Sequence, residues 1–414
     1  MSFASIPMSS NEKAFCGKTP IVDKLRKNKN MKFVYFFRDS GEANSGVEKK
    51  MRSQVKNLSK YGLNPIVYRI CVNDEQSAPN NSDEIINILT HSFLPVIIRK
   101  IEREHLINIA LIDTIASLQK NDIIYLRIPF PSLFLSWKLR KPRACKVVIE
   151  YQTIEPPEFR SKGQYWYLIL DLLYGRALRR YTDAIVGVTD EVTQYEVFRS
   201  GDRNKPHITI ANGIDVESVV VRNPPQHLDE ILHILCVANV SRWHGLDRLL
   251  QGLATYSETP EVVLHIAGGG AELPTLQKMV NDLGITDRVV FHGFLTGIAL
   301  DKLFDQCHIA VGSLGIHRIG LKEASILKAR EYCARGIPFI YGISDPDFTA
   351  DFPYILHFSA DESPIDIEKV LAFVKEVCTD PDHPQKMRCF AEEHLDWSTK
   401  MKKLKDFLEK LTGE

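Results

Sequence analysis

The feature that most constrains this chain is a repeated unit: a short apolar strand, a polar loop and an amphipathic helix. The first copy has an apolar run over Met31–Phe37, a loop containing two glycines, and helical spacing from Val47 to Tyr61. Regular alternation of strands and helices is typical of a parallel sheet with helices on both faces. The pattern therefore predicts an α/β protein of the doubly wound kind.

The alternation falls into two groups, separated by the proline-containing segment Arg222–His227. In the first group we expect a long helix at Tyr165–Tyr181. Further strands are expected at Pro65–Ile70, Asp122–Arg127, Lys146–Glu150, Ala184–Val188 and His207–Ala211. In the second group we expect strands at Ile231–Val237, Val262–Ile266, Val289–Phe291, Ile309–Val311 and Pro338–Tyr341, and helices at Gly245–Tyr256, Leu273–Leu283, Ala299–Gln306 and Ser325–Ala334. The predicted organisation is a mobile tail (1–30), a first domain (31–222) and a second domain (228–395).

Composition narrows the class of protein. The 414 residues include 52 Lys and Arg against 52 Asp and Glu, and 44% are hydrophobic, which is ordinary globular usage. No run approaches the roughly 18–20 apolar residues of a membrane span, and the N-terminus lacks a signal-peptide core. The eight cysteines form no C-x-x-C pair, so we expect reduced thiols, a cytoplasmic location and no metal site.

The balanced charge conceals two unlike halves. Residues 1–225 carry 33 basic and 24 acidic side chains, a net +9, and residues 226–414 carry a net −9. Basic groups concentrate at Trp137–Arg143 and at Arg176, Arg179 and Arg180. They could contact anionic lipid headgroups or a lipid-diphosphate, or form a solvated basic surface.

Three signals follow predicted strands, two in the second half and one at the end of the first. Ala267–Glu272 is a glycine-rich turn that lacks the dinucleotide spacing, so a tight turn is the alternative. Arg242 and His244 follow the first strand and could neutralise a phosphate, or be ordinary structural side chains. Asn212 opens an Asn-Gly turn at the end of the first half.

Two carboxylates bracket a predicted helix start. Glu323 precedes the helix, Glu331 lies inside it, and the unpaired N–H groups of the helix start favour an anion. Such carboxylates could accept hydrogen bonds from sugar hydroxyls. The alternative is a charged helix face with Lys328 and Arg330 as local partners.

In combination and order these motifs resemble family 4 of the retaining, nucleotide-sugar-dependent glycosyltransferases, which have the GT-B fold. The matching segments are Ser45–Glu48, Ala211–Val216, Val237–Leu250, His265–Leu273, Arg288–Phe294 and Glu323–Phe339. The resemblance implies two Rossmann-like domains facing a central cleft. It also implies that the final helix, 396–414, returns to pack on the first domain.

The resemblance further implies roles for individual residues. Glu331 would bind the ribose of the nucleotide and Glu323 the donor sugar, while the base would lie against Gly293 and Phe294. The diphosphate would contact the helix start, at Ile326, Leu327 and Lys328, and the basic turn, at Arg242 and His244. Gly46 would let the first-domain loop approach the donor closely, and Gly269 would also belong to the donor site.

Three departures from the family pattern stand out. His244 replaces the usual second cation, and the loop 314–322, with His317 and Arg318, is longer than the usual spacer. Glu150 occupies the place near the sugar where relatives have a His, which makes it a candidate catalytic or acceptor-facing carboxylate.

The expected reaction moves a hexose-type sugar to a saccharide or lipid-linked acceptor with retention, by front-face departure, without a metal or other cofactor and without nucleic acid. A capsular or exopolysaccharide pathway is the expected context, and contact with an anionic membrane surface is possible. The rival classes are a sugar-nucleotide epimerase or phosphorylase on the same architecture, and a non-catalytic two-lobe binding protein.

Overall fold

The computed structural model describes residues 32–38, 46–72, 84–88, 96–127, 131–161, 163–225, 228 and 230–413. The predicted tail, 1–30, lies outside the described residues. Two parallel sheets organise the rest, one built before residue 210 and one after residue 230.

The first sheet has seven strands in the order β3-β2-β1-β4-β5-β6-β7, and all of its pairings are parallel. The strands are β1 (Phe33–Arg38), β2 (Pro65–Val72), β3 (Glu84–Ile88), β4 (Ile123–Arg127), β5 (Lys146–Tyr151), β6 (Ala184–Gly187) and β7 (His207–Thr209). The helices are α1 (Gly46–Lys60), α2 (Val96–Ser117), α3 (Leu133–Leu139), α4 (Glu155–Ser161), α5 (Tyr165–Leu170), α6 (Arg176–Tyr181) and α7 (Asp190–Ser200).

The second sheet has six strands in the order β10-β9-β8-β11-β12-β13, also all parallel. The strands are β8 (Ile231–Val237), β9 (Glu261–Ala267), β10 (Val289–Gly293), β11 (Ile309–Val311), β12 (Phe339–Tyr341) and β13 (Ile355–His357). The helices are α8 (Leu246–Thr255), α9 (Leu273–Asp282), α10 (Gly297–Gln306), α11 (Leu327–Arg335), α12 (Ile367–Val377), α13 (His383–Phe390) and α14 (Trp397–Thr412).

Both sheets confirm the predicted doubly wound α/β class. In each sheet, the chain starts with a strand in the middle, adds strands on one side of it and then on the other. Because all strands are parallel, their carboxyl ends lie along the same edge of the sheet, which is called the carboxyl edge below. Strands such as β1 and β8 are almost wholly apolar and buried because helices cover both of their faces. The candidate site is expected at the carboxyl edge.

The expected helix over Tyr165–Tyr181 is interrupted. A single turn of π-helix, Asp171–Gly175, called the π-turn below, separates α5 from α6. Gly175 is required there, because a Cβ on it would lie 2.2 Å from Asp171 Oδ1. The turn carries Arg179 to the inside, where it pairs with Glu155, Asp171 and Glu196. Arg179 is therefore removed from the basic surface that the sequence indicated.

The last helix crosses back to the first unit. Trp397, Met401, Leu404 and Leu408 of α14 are buried in one cluster with apolar residues of β1 and α1. Gly213 allows the crossing, since a Cβ on it would lie 2.8 Å from the Trp397 ring. The chain thus passes between the units twice, once near residue 222 and once near residue 396.

Candidate functional site

The loops at the carboxyl edge of the second sheet are hydrogen-bonded to one another. The Val240 N–H donates to the Gly269 carbonyl and the Gly268 N–H to the Gly293 carbonyl, both at 2.6 Å. These bonds join the loops that follow β8, β9 and β10 into one continuous surface. Gly269, Gly293 and the basic turn after β8 therefore belong to a single site.

The three glycines after β9 have different tasks. Gly268 and Gly270 have φ near +132° and +133°, and a Cβ on either would lie 2.0–2.2 Å from the carbonyl oxygen of Ala238 or Val240. Gly269 faces open space, with no atom within 4 Å of its would-be Cβ. The tight-turn interpretation therefore explains the outer two glycines, and the middle one remains available to a ligand.

The basic turn is a single 3₁₀ turn, Arg242–His244. His244 Nδ1 lies 3.0 Å from the Ser241 nitrogen and 3.1 Å from the Ser241 carbonyl oxygen, so Ser241 offers a hydrogen-bond partner to either tautomer of the ring. Burial holds the pKa of His244 below its usual value. At neutral pH, His244 is therefore uncharged and is not the second cation of the family pattern, while the Arg242 side chain is exposed.

The long loop before Glu323 braces this turn. Arg318 donates to the Arg242 carbonyl at 2.9 Å and forms a bidentate pair with Asp247 at 2.8 and 2.7 Å. It also pairs with Glu362. The Arg318 charge is thus engaged by carboxylates, so this residue positions Arg242 and is not an additional free cation for a ligand.

Helix α11 begins at Leu327, two residues later than predicted, with Ile326 as its N-cap. Glu331 accepts from Lys328 Nζ at 2.7 Å and from Arg335 Nε at 3.1 Å. Burial alone would raise the pKa of Glu331, but these two cations outweigh it and lower the pKa. Glu331 is thus an ionised hydrogen-bond acceptor beside the helix start.

Tyr332, the residue after Glu331, fixes α11 at the carboxyl edge of the second sheet. Tyr332 is fully buried; its hydroxyl accepts from the Val237 N–H at 3.1 Å and donates to the Val311 carbonyl at 3.2 Å. Val237 and Val311 are the last residues of β8 and β11. Glu331 is therefore held at the edge where the basic turn lies.

Glu323 spans the two units. Its carboxylate accepts from the Glu191 N–H at 3.0 Å, and the Glu191 carboxylate accepts from the N–H groups of Lys322 and Glu323 at 2.8 and 2.9 Å. Glu191 lies in the first turn of α7. Glu323 therefore lies against the start of α7 in the first unit. A sugar bound by the Glu323 carboxylate would compete with the Glu191 N–H for it.

Glu150 is not on the cleft surface. It lies at the end of β5 with 2% of its side chain exposed, paired with Lys50 Nζ at 2.6 Å. Burial raises the pKa of Glu150, but Lys50 and Arg127 outweigh it and the pKa is lowered. Glu150 therefore lies beneath the surface, with its Oε1 held by Lys50 and Gln152, and its acceptor-facing role stays a prediction.

Asn212 makes more contacts between the units than its place in an Asn-Gly turn indicates. Its Oδ1 accepts from Lys50 at 2.7 Å, its Nδ2 donates to the Ser325 carbonyl at 2.6 Å, and its backbone N–H donates to Ser325 Oγ at 2.7 Å. Arg330 Nε also donates to the Asn212 carbonyl at 3.0 Å. The Asn-Gly turn therefore links Glu150, through Lys50, to the start of α11.

The remaining predicted residues lie at the periphery. Phe294, directly after Gly293, is 84% exposed and offers a bare aromatic face. Gly46 is the first residue of α1. Over the described ranges, no group of three or more His, Cys, Asp or Glu residues is arranged to hold a metal ion.

Residues 222–343 match the family Glycosyl transferases group 1. The segment contains the basic turn, the glycine turn, Phe294 and both carboxylates. The chain thus carries a glycosyltransferase domain, which confirms the enzyme class predicted from sequence.

A mannosyltransferase of Mycolicibacterium smegmatis, described as a GDP-mannose-dependent alpha-(1-6)-phosphatidylinositol monomannoside mannosyltransferase, is 37% identical over 59 residues. That alignment covers 14% of this chain and 15% of the relative. The segment therefore represents a small part of that protein.

Solved structures share the whole architecture. The lipopolysaccharide outer core galactosyltransferase WaaB is 14% identical with a TM-score of 0.62, over 91% of this chain and 99% of its own. Anabaena HepE, solved with UDP, is 15% identical with a TM-score of 0.64, over 92% of this chain and 100% of its own. The sucrose-phosphate synthase of Thermosynechococcus elongatus has a TM-score of 0.65 at 14% identity, over 92% and 99%. These matches confirm the GT-B fold.

Proposed function

We propose that this protein transfers a hexose-type sugar from a nucleotide-diphosphate sugar to a saccharide or lipid-linked saccharide, as a retaining, family 4 enzyme of cell-surface glycan synthesis. The observation that carries the proposal is the shared edge of Arg242, His244, Gly269 and the α11 start with ionised Glu331. All of these residues lie inside the matched glycosyltransferase domain.

The chemistry of this edge suits a nucleoside diphosphate. Arg242 is an exposed cation that can stabilise the charge that grows on the departing diphosphate, and the uncharged His244 ring lies in the same turn. The first N–H groups of α11, at Leu327 and Lys328, favour phosphate oxygens as well. Glu331 would accept from the ribose hydroxyls, and Phe294 would cover the base.

Retention is proposed without a covalent intermediate. Glu150, the first-unit carboxylate singled out from the sequence, is buried and paired with Lys50, so it is unsuited to attack the sugar. Departure of the diphosphate and entry of the acceptor on the same face would then give retention. The cations of the protein take the place of a metal in this proposal.

Two relatives support the donor class. HepE is solved with UDP and with UDP-glucose, and the mycobacterial relative is described as GDP-mannose-dependent. We propose a donor of this class, a cytoplasmic site of action, and an acceptor held by the first unit.

The test is release of nucleoside diphosphate from a panel of nucleotide sugars, first in water and then with candidate saccharide acceptors. Slow hydrolysis that acceptors accelerate supports a transferase, and the anomeric configuration of the product, read by NMR, tests retention. Binding without turnover across the panel would instead support the non-catalytic binding protein. Conversion of the nucleotide sugar without release of diphosphate would support an epimerase.

A further inference from the structure

The segment from Tyr165 to Tyr181 presents its apolar side to the outside. The exposed residues recur at helical spacing and form one face, the exposed apolar stripe: Tyr165, Trp166, Ile169, Leu172 and Leu173. Leu172 and Leu173 are 59% and 63% exposed. The inward side includes Asp171 and Arg179, which are paired and fully buried. This helix thus inverts the usual pattern of a surface helix.

Neighbouring helices extend the stripe. On α3, Leu133 and Trp137 are 65% and 50% exposed, and α3 is tied to the π-turn by Ser136 Oγ, which donates to the Tyr174 carbonyl at 3.4 Å. Arg103 of α2 donates to the Tyr167 hydroxyl at 3.2 Å. An apolar surface of this extent on three joined helices marks an interaction site.

The charge around α3, α5 and α6 is mostly positive. Residues 131–146 and 163–182 contain a single acidic side chain, Asp171, and it is buried and paired with Arg179 and Arg199. A cavity of about 400 Å³ lies at the end of the segment that carries the stripe, and its lining includes five basic residues: Arg140, Lys141, Arg143, Lys146 and Arg180. Its acidic side chain, Asp183, pairs with Arg143 at 2.5 Å.

This chemistry selects the occupant. Aromatic and aliphatic side chains beside exposed Lys and Arg are the composition that inserts into the interface of an anionic bilayer. Lys141 Nζ lies 4.0 Å from the centre of the Trp137 ring, so an interfacial aromatic and a headgroup cation are adjacent. A second copy of this chain would instead bring two basic rims together. None of the described helices combines the length and apolar character needed to cross a bilayer.

The direction of the chain relates this surface to the candidate site. Strand β5 ends at Tyr151 at the carboxyl edge, and β6 begins at Ala184 at the opposite edge. The segment between them therefore runs from the site edge, where Tyr165 begins the stripe, to the far edge, where the basic cavity lies. A bilayer on this face would extend alongside the first unit toward the mouth of the cleft.

We infer that the exposed apolar stripe and the basic cavity form a docking surface for an anionic lipid bilayer, with lipid phosphates held by the cavity. If the proposed function is right, docking presents lipid-linked acceptors to the first unit. Docking itself requires only this surface.

The experiment is co-sedimentation of the full chain with vesicles of phosphatidylcholine alone or with about 30 mol % phosphatidylglycerol. We expect binding to the anionic vesicles that weakens as salt rises. The double variant Leu172→Ser/Leu173→Ser should lower the partition coefficient at least about tenfold, since both side chains lose burial in the interface. Replacing Arg140 and Lys141 by Ser should lower it about fivefold for each charge.

Matched controls are Ile298→Ser and Lys302→Ser, exposed positions of the second unit that should bind vesicles like the wild type. Circular dichroism checks the fold of every variant, and diphosphate release without lipid should be unchanged in all of them. Failure of the wild type to bind anionic vesicles would overturn the inference, as would wild-type binding by the Leu172/Leu173 variant. A dimer dissolved by that variant, with no vesicle binding, would assign the surface to self-association. Loss of docking with turnover intact leaves the proposed function standing.

Discussion

At the scale of single residues, most cations around the candidate site are engaged by carboxylates. Arg318 is held by Asp247 and Glu362, and buried Arg330 is held by Asp345 and Asp347. These pairs fix the loops that present Arg242 and the start of α11. Because buried pairs leave an uncompensated charge when one partner is removed, these residues are poor choices for probing donor binding. Glu331 is the better probe, since it is ionised and only partly covered.

We predict that Glu331→Gln weakens nucleotide binding about tenfold or more, because the ribose loses charge-assisted hydrogen bonds worth about 1.5–3 kcal/mol each. Isothermal titration calorimetry with nucleoside diphosphates measures the change. Glu261→Gln, at an exposed position of the same unit, is the control and should bind normally. Unchanged affinity of the Glu331 variant would remove its proposed role.

A second prediction concerns His265, the middle of a hydrogen-bonded chain. His233 Nδ1 and His292 Nε2 each lie 2.9 Å from a ring nitrogen of His265. Burial, then the neighbouring imidazoles, lowers the pKa of His265 to about 4, against about 6.5 in the unfolded chain. The unfolded state therefore binds more protons between these values, and stability is full above pH 6.5 and falls as the pH drops toward 4.

His265→Gln should flatten this loss, although it lowers stability at pH 7. Thermal unfolding midpoints between pH 4 and pH 7.5 test the prediction, with His394→Gln, an exposed position, as the control. Equal pH slopes for the wild type and the His265 variant would contradict it.

At the scale of elements, the π-turn explains how an apolar helix can face outward and remain ordered. On its inner side, Asp171 lies in a cluster in which Arg179 of α6 and Arg199 of α7 pair with Asp171, Glu196 and Glu155. Three carboxylates thus face two cations, and burial raises the pKa of Glu155 to about 8. Burial raises the pKa of Glu196 as well, so a proton held within this cluster at neutral pH balances its charges. The polar contacts therefore satisfy the inner side of the segment, and its apolar side faces outward.

We predict that Glu155→Gln removes a pH dependence from this element. The folded pKa of Glu155 is raised above its unfolded value of about 4.3, so its contribution is fully present below that value and is lost as the pH rises through 8. The variant should lose less stability than the wild type between pH 5 and pH 9. Chemical denaturation at both values measures this, with Glu158→Gln on the same helix as the control. A wild-type slope in the Glu155 variant would contradict the assignment.

At the scale of the whole molecule, the two units are joined by specific contacts as well as by the two chain crossings. Asn212 of the first unit bonds to Ser325, and the backbone N–H groups of Glu191 and Glu323 each donate to the carboxylate of the other. Closure of such lobes can exclude water, a competing acceptor once the glycosyl bond weakens. The start of α11 therefore belongs both to the proposed donor site and to the contact between the units.

We predict that Asn212→Ala lowers turnover more than donor affinity, because the groups proposed to hold the donor lie mostly in the second unit while closure needs both. The loss of buried hydrogen bonds to Lys50 and Ser325 should cost about 1–3 kcal/mol in stability. Steady-state kinetics together with calorimetry separate the two effects. Asn204→Ala, in an exposed turn of the first unit, is the control. Equal losses in turnover and affinity would place Asn212 in donor binding instead.

Local periodicity was enough to locate most of the fold. The strand Ile231–Val237 has the bounds predicted for it, and most other predicted strands agree within about two residues, because an apolar run between polar turns is a local signal. Several elements had no counterpart in the predicted pattern, among them β3, β13, α2, α3, α4 and α7. Strands β3 and β13 are short edge strands, and apolar residues around much of α2 obscure its helical period.

The sequence by itself determined the alternation of strands and helices, the glycine-rich turn and the residue types of the candidate site, since these depend on near neighbours in the chain. Only the tertiary structure decided which side chains are used up by partners. Lys50, Glu150 and Asn212 meet although more than sixty residues separate each from the next. Likewise, Arg179 lies inside because Glu155 and Glu196 converge on it from other helices. Burial and pairing depend on contacts distant in sequence, which a local pattern does not encode.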